Sequence, residues 1–197
     1  MKLKDKALLI LSLSFVFILI FLPPILQNKC ISKIEQKQVR GNSLSPLIND
    51  GNEIKAFYGY YDCHSIKRGD IVLVKYLGNE YPLIKIVKAV PNDSFHLQKA
   101  ENGWQILVNG MVLKNFEGRP YLLNKQKKRM LSLYENDYQG IIPEGAYLVL
   151  GNISSGSVDS TKFGLVGKSA IIAKVKFKRQ FSNLLDSYLN SFYNIFK

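Results

Sequence analysis

Gln105-Ile106-Leu107-Val108-Asn109-Gly110-Met111-Val112-Leu113 reads as two short apolar strands joined by Asn-Gly. A two-residue hairpin turn asks for positive φ at both positions, and asparagine and glycine supply it. The stretch is therefore a β-hairpin, and the same pattern recurs on either side of it. Glu53 to Tyr58, Ile71 to Tyr76, Leu83 to Val90 and Tyr147 to Leu150 are short and rich in β-branched or aromatic side chains. The turn signals Lys67-Arg68-Gly69-Asp70, Pro91-Asn92-Asp93 and Pro143-Glu144-Gly145 separate them. Ala170 to Val175 is a further strand candidate. Strands do not alternate with helices, which disfavours a parallel sheet. The predicted class is mostly β, with antiparallel sheets or a barrel. Pro120 to Gly140 is polar, basic and poorly patterned, and reads as a long mobile excursion between strands.

The two ends of the chain have a different period. Ala7 to Leu26 carries no charged residue and is about 20 residues long, enough to cross a bilayer as a helix. Lys2, Lys4 and Lys6 precede it, as they would in a cleavable signal peptide. The run is long for such a leader, however, and no small-x-small cleavage site follows, so it reads as an uncleaved anchor. At the other end Phe177, Phe181, Leu184, Leu185, Tyr188, Leu189, Phe192, Ile195 and Phe196 fall on one face of an amphipathic helix. Such a helix either packs on its own domain or lies on a membrane surface, with Lys174, Lys176, Lys178 and Arg179 at its start.

With 197 residues and 47% hydrophobic content, the chain can build one cored domain plus these accessory segments. Its net charge of +12 draws it to anionic surfaces, either phospholipid or nucleic acid. No zinc-finger spacing, nucleic-acid signature or basic-aromatic repeat is present, so lipid is favoured over nucleic acid. Cys30 and Cys63 match no metal-ligand spacing. They form either a disulfide, if the domain lies outside the cytoplasm, or two small apolar fillers.

One turn stands out chemically. In Arg40-Gly41-Asn42-Ser43-Leu44-Ser45-Pro46, glycine permits positive φ and proline pushes Ser45 towards an extended backbone. Ser43 is thus presented on a bend. A serine hydroxyl needs an adjacent base before it can attack an amide. The two histidines fit that role poorly: His64 falls in a polar loop and His96 in a strand-like segment. A lysine can serve if burial lowers its pKa towards 7–8, from about 10.4. Lys85, inside Leu83-Ile84-Lys85-Ile86-Val87, has the apolar neighbours that this requires.

These stretches, taken in order, resemble the boxes of the type I signal peptidases, membrane-anchored Ser–Lys endopeptidases. Gly41-Asn42-Ser43-Leu44-Ser45-Pro46 with Gly51-Asn52 resembles the nucleophile box, G-x-S-M-x-P-T-L followed by G-D. Lys67-Arg68-Gly69-Asp70-Ile71-Val72 is similar to K-R-G-D-I-V, and Ile84-Lys85-Ile86-Val87 to the general-base box. Pro143 to Asn152 resembles P-E-G-x-Y-F-V-M-G-D-N. Ser157-Val158-Asp159-Ser160 and Val166-Gly167-Lys168 resemble the closing boxes. The resemblance implies Ser43 as nucleophile and Lys85 as general base. It also implies that Ser157 holds the lysine amine and that Asp159 braces the region. Leu44 replaces the usual methionine, and Gly41 stands where many relatives place a serine that helps the oxyanion hole. No metal or cofactor is implied.

The departures are local. Gly151-Asn152-Ile153-Ser154-Ser155-Gly156 lacks the acidic residues and the arginine of G-D-N-R-D-N, and Thr161 stands in place of another arginine. The expectation is a 1–28 transmembrane anchor, a 29–175 β-rich peptidase domain on the extracytoplasmic side of the cell membrane, and a 176–197 amphipathic helix. Expected partners are precursors bearing signal peptides and anionic phospholipid. The alternatives are a conjugative-transfer peptidase that matures pilin-like proteins and an inactive membrane-anchored relative. A self-cleaving Ser–Lys repressor is argued against by the anchor.

Overall fold

The computed structural model describes residues 30–76, 80–153 and 156–177. All but Cys30 belong to the compact unit Ile31–Lys197. The expected anchor, and the expected C-terminal helix from residue 178 onward, lie outside the described residues. Among the described residues no helix is long and apolar enough to cross a membrane.

Among the described residues eleven strands follow in order: β1 Lys33–Gln38, β2 Glu53–Tyr58, β3 Ile71–Val74, β4 Leu83–Ala89, β5 Phe95–Ala100, β6 Gly103–Val108, β7 Met111–Val112, β8 Leu122–Leu123, β9 Ala146–Leu150, β10 Val166–Gly167 and β11 Ile171–Phe177. A seven-stranded sheet has the order β1-β2-β11-β3-β4-β9-β10. A second, four-stranded sheet runs β5-β6-β7, with β8 also paired to β6. Every strand pair is antiparallel. In the opening hairpin, Leu107 faces Val112 and Val108 faces Met111, across Asn109 at φ 52° and Gly110 at φ 75°.

Two parts of the sequence reading need correction. Pro120 to Gly140 is not a mobile excursion: it contains a 13-residue helix, Lys125–Asp137. Asn124 caps it by accepting from the Lys127 amide. Leu131 is fully buried, while Lys127, Lys128, Tyr134 and Glu135 are half-buried around it at helical spacing. Lysine stems cover apolar surface while their ammonium groups stay in water, so the buried stripe does not look apolar in the sequence. Glu135 fastens the helix to β5 by accepting from the Leu97 amide at 3.0 Å. The second correction is at the C-terminal boundary. Strand β11 continues through Lys176 and Phe177, two residues into the stretch read as helix.

Strand β1, KIEQKQ, gives almost no strand signal of its own. It sits at the edge of the sheet, and β2 supplies its partners from Lys33↔Tyr58 to Gln38↔Glu53. One apolar cluster lies beneath the connection between these two strands. Val39, Leu44 and Ile48 pack there with Ile54, Ala56, Leu73, Ile84, Ile86, Ala173 and Val175. A second cluster under the smaller sheet includes Phe95, Ile106, Tyr121, Leu131, Leu148 and Leu150. Cys30 and Cys63 are disulfide-bonded, which settles the choice left open by spacing.

Candidate active site

The β1–β2 connection carries Ser43. Gly41 takes φ 86°, a value that excludes most side chains, and its N–H donates to Asp50 Oδ1 at 2.6 Å. The Ser45 amide bonds back to the Asn42 carbonyl, and Ile48 bonds back to Leu44. The Ser45-Pro46 peptide is cis. Leu44 and Ile48 are wholly buried in the first cluster. Burying each such side chain contributes about 1.5–3 kcal/mol, so the turn is held down by its apolar residues on both sides of Ser45.

Lys85 comes from β4, opposite Val72 of β3 and between Ile84 and Ile86, which are both in the first cluster. It is only 2% exposed. Its Nζ lies 3.1 Å from Ser43 Oγ and 2.7 Å from the Ile84 carbonyl oxygen. Burial pulls its pKa down from 10.5 to about 8, against the attraction of the Asp159 charge. A lysine titrating there is substantially neutral in mildly alkaline solution. The neutral amine can accept the hydroxyl proton across this contact.

The segment after β9 packs against the back of the nucleophile. Gly151 is forced to be glycine: a Cβ there would lie 2.8 Å from the Ser43 carbonyl oxygen and within 2.3 Å of Ser157 Oγ. Its carbonyl accepts from the buried Tyr121 hydroxyl at 2.7 Å. Asp159 lies beneath, with Oδ2 accepting from the Gly151 amide at 3.0 Å. Asp159 Oδ1 accepts from both the amide and the hydroxyl of Thr161, at 3.0 and 2.7 Å. It thereby caps the short helix Ser160–Phe163. Thr161 gives the carboxylate a hydroxyl donor where the resemblance would place an arginine.

The predicted site residues thus fall into four groups. Ser43 and Lys85 are in direct contact. Asp159 is buried and holds the Gly151 amide, and Leu44 is buried in the first cluster. Ser157 is buried beside Gly151, but its Oγ makes no hydrogen bond among the described residues, to Lys85 Nζ or otherwise. The Gly41 N–H is already engaged with Asp50, so the glycine acts through its conformation. The histidines stand apart. His64 stacks on Tyr60 and meets its carbonyl, and His96 faces Glu135 beside β5. Among the described residues no cluster of His, Cys, Asp and Glu is placed to hold a metal ion. Sequence reasoning missed Tyr121 and Asn152. Asn152 was visible only as a departure from an expected acidic residue.

Over residues 9–179 the chain matches the family described as signal peptidase, peptidase S26. It is 26% identical over 180 residues to signal peptidase IB of Staphylococcus aureus (strain COL), covering 86% of each chain. It is 30% identical over 143 residues to signal peptidase I of Bacillus caldolyticus, covering 71% of this chain and 76% of that one. A crystal structure of a signal peptidase I from Enterococcus faecalis aligns with a TM-score of 0.41 and 20% identity, covering 56% of this chain and 97% of the other. The family match and the sequence relatives make the chain a serine endopeptidase. It belongs to the signal peptidase family, peptidase S26.

Proposed function

We propose that the protein is a membrane-bound endopeptidase that removes signal peptides from exported precursors with a Ser43–Lys85 pair. The observation that carries this reading is the 3.1 Å contact between Ser43 Oγ and the desolvated Lys85 amine. Neutral Lys85 takes the Ser43 proton as Oγ attacks the scissile carbonyl. The Ser43 backbone N–H receives the developing oxyanion. As the tetrahedral intermediate collapses, protonated Lys85 gives its proton to the leaving amine and an ester to Ser43 remains. Lys85 then activates a water that hydrolyses the ester.

Strand pairing suggests how the precursor lies. Strand β9 begins to pair with β4 only at Ile86. The β9-facing edge of Leu83 to Lys85 therefore has no strand partner among the described residues. An extended segment added to that edge would bring its peptide bonds past Lys85 and Ser43. Family substrates have small residues at −1 and −3. The uncharged Ala7–Leu26 run supports a bilayer anchor, and the Cys30 and Cys63 disulfide supports an extracytoplasmic domain. The charge of +12 favours anionic phospholipid as the surface beside it.

The test is cleavage of a precursor with alanine at −1 and −3 by full-length enzyme. Ser43→Ala, Lys85→Ala and Lys85→Arg should each lose about 10³-fold or more in kcat, and the Ser43–Lys85 double alanine should be no worse than either single. Arginine fails because it does not release its proton in the working range. Native kcat/KM should rise through an apparent pKa near 8 and be unaffected by His64→Ala or His96→Ala. Turnover by Ser43→Ala would remove this chemistry. A native enzyme that cleaves no such precursor would favour an inactive relative.

A further inference from the structure

Asn152 is wholly buried, yet its side chain and backbone reach two separate segments, the 43–45 turn and the 115–117 turn. Its backbone N–H donates to the Ser43 carbonyl at 2.7 Å. Its side-chain Nδ2 donates to the Ser45 carbonyl at 2.7 Å. Its Oδ1 accepts from the Phe116 amide at 2.7 Å, and its carbonyl accepts from Asn115 Nδ2 at 3.3 Å. The carbonyls on both sides of Leu44 are therefore gripped by one residue, which is itself braced by the 115–117 turn.

The chemistry of the partners dictates the side chain. A backbone carbonyl needs a donor, a backbone N–H needs an acceptor, and a carboxamide presents both in one plane. Aspartate offers no donor when ionised. Lysine and arginine offer no acceptor. The orientation of the Asn152 amide follows from these two backbone groups alone. Its Nδ2 also lies 3.5 Å from Glu117 Oε2, so a carboxylate at position 152 would face a second carboxylate.

We infer that Asn152 is a positioning residue for the nucleophile. Its backbone N–H holds the Ser43 carbonyl and its side-chain amide holds the Ser45 carbonyl, and together they set the peptide planes that follow Ser43, and so the line along which Oγ meets Lys85 Nζ and the substrate carbonyl. This rests on the Ser43–Lys85 reading. It also explains why this chain has an amide where the resemblance would place an acid: the partners here are one backbone donor and one backbone acceptor. The role is geometric, and small misplacements of a nucleophile are expensive in rate.

Asn152→Asp keeps the shape and loses the donor to Ser45, while Asn152→Ala loses both side-chain contacts, to Ser45 and Phe116, and keeps the backbone bond to Ser43. Full-length enzyme in detergent is assayed on the Ala-x-Ala precursor, with Tm measured at each pH. For Asn152→Asp, kcat should fall about ten- to a hundredfold, with KM within about threefold of native. The introduced carboxyl can donate to Ser45 only while protonated, so the ratio of variant to native kcat should fall further as pH rises. The ratio for Asn152→Ala should be flat with pH. Around the site, Arg119, Lys88, Lys85, Asp159 and Asp50 are common to native and variant enzyme, while Glu117 faces the introduced carboxyl, and like charge between the two favours the protonated form of that carboxyl. Asn152→Asp with kcat within about twofold of native at every pH overturns the proposal, as does a loss confined to KM or matched by a loss of folded protein. Ser43→Ala and Lys85→Ala run beside it. If those stay active, the pair reading fails. If they are dead while Asn152→Asp is not, only the positioning role fails.

Discussion

The turn from Val39 to Asn52 and the segment from Gly151 to Thr161 meet at Ser43, and opposite means hold them. The turn buries apolar side chains, Val39, Leu44 and Ile48, while the side-chain hydrogen bonds within it lie at the surface. The segment buries polar ones: Asn152, Ser157, Asp159, Ser160 and Thr161. Apolar burial is non-directional and tolerates another side chain of similar volume. A buried hydrogen-bond network does not, because each atom left without a partner carries its own desolvation cost. The nucleophile can therefore be presented by a forgiving turn, but it is aimed by an unforgiving one.

The largest effect should come from the point where the two regions touch. Gly151→Ala puts a methyl group 2.8 Å from the Ser43 carbonyl oxygen and closer still to Ser157 Oγ. The side chain of Ser157 can rotate, but the Ser43 backbone must move. Cleavage should fall by about a hundredfold or more, since displacement of a reacting group on the ångström scale costs that much. The check is kcat for the purified variant, with circular dichroism to confirm the fold. Activity within a fewfold of native would mean that the two regions are not rigidly coupled.

This division also explains what the sequence disclosed. The strands were legible where alternation or β-branched runs met a turn signal, as in Glu53–Tyr58 and the Asn109-Gly110 hairpin. Ser43 and Lys85 were legible as candidates because a bend and an apolar strand are local features and because their boxes carry the family resemblance. Strand β1 was not, because its order comes from β2 and not from its own side chains. The 125–137 helix was hidden by lysines whose stems do apolar work. Asn152 was illegible as a positioning residue because its partners are the backbone atoms of Ser43, Ser45 and Phe116, distant in sequence and independent of side-chain identity.

The next effect concerns Lys85, a charged residue planted among apolar neighbours. Lys85 titrates at 10.5 when unfolded and at about 8 when folded. Below pH 8 both states hold the proton, and the folded state bears the full cost of the buried charge. Between pH 8 and 10.5 the unfolded state holds more protons, so stability rises with pH. Above 10.5 the penalty is gone. At about 1.36 kcal/mol per pKa unit the difference is about 3 kcal/mol. Lys85→Met removes the charge and retains the bulk. It should be more stable than native by up to that amount at neutral pH, with the advantage shrinking between pH 8 and 10.5. Denaturant midpoints across this range provide the check. An advantage constant with pH would mean that packing, and not desolvation, separates the two proteins.

The smallest effects offer the sharpest contrast, because two swaps of similar volume can be made, one in each region. Leu44→Met exchanges one buried apolar side chain for another and should cost less than about 1.5 kcal/mol. Thr161→Val replaces a buried hydroxyl by a methyl group and removes the 2.7 Å bond to Asp159 Oδ1. The Thr161 amide still donates to the same oxygen, and Gly151 still donates to Oδ2, so the carboxylate is not stranded. What is lost is one hydrogen bond to a charged group, worth roughly 1.5–3 kcal/mol. Because the Gly151 contact survives, kcat/KM should stay within about threefold of native for both variants, since neither removes a group that touches Ser43 Oγ or Lys85 Nζ. Their melting temperatures should nevertheless differ, with Thr161→Val the lower. If the two melt together, the polar segment is no more exacting than the apolar turn, and the distinction between a forgiving and an unforgiving half of the site falls.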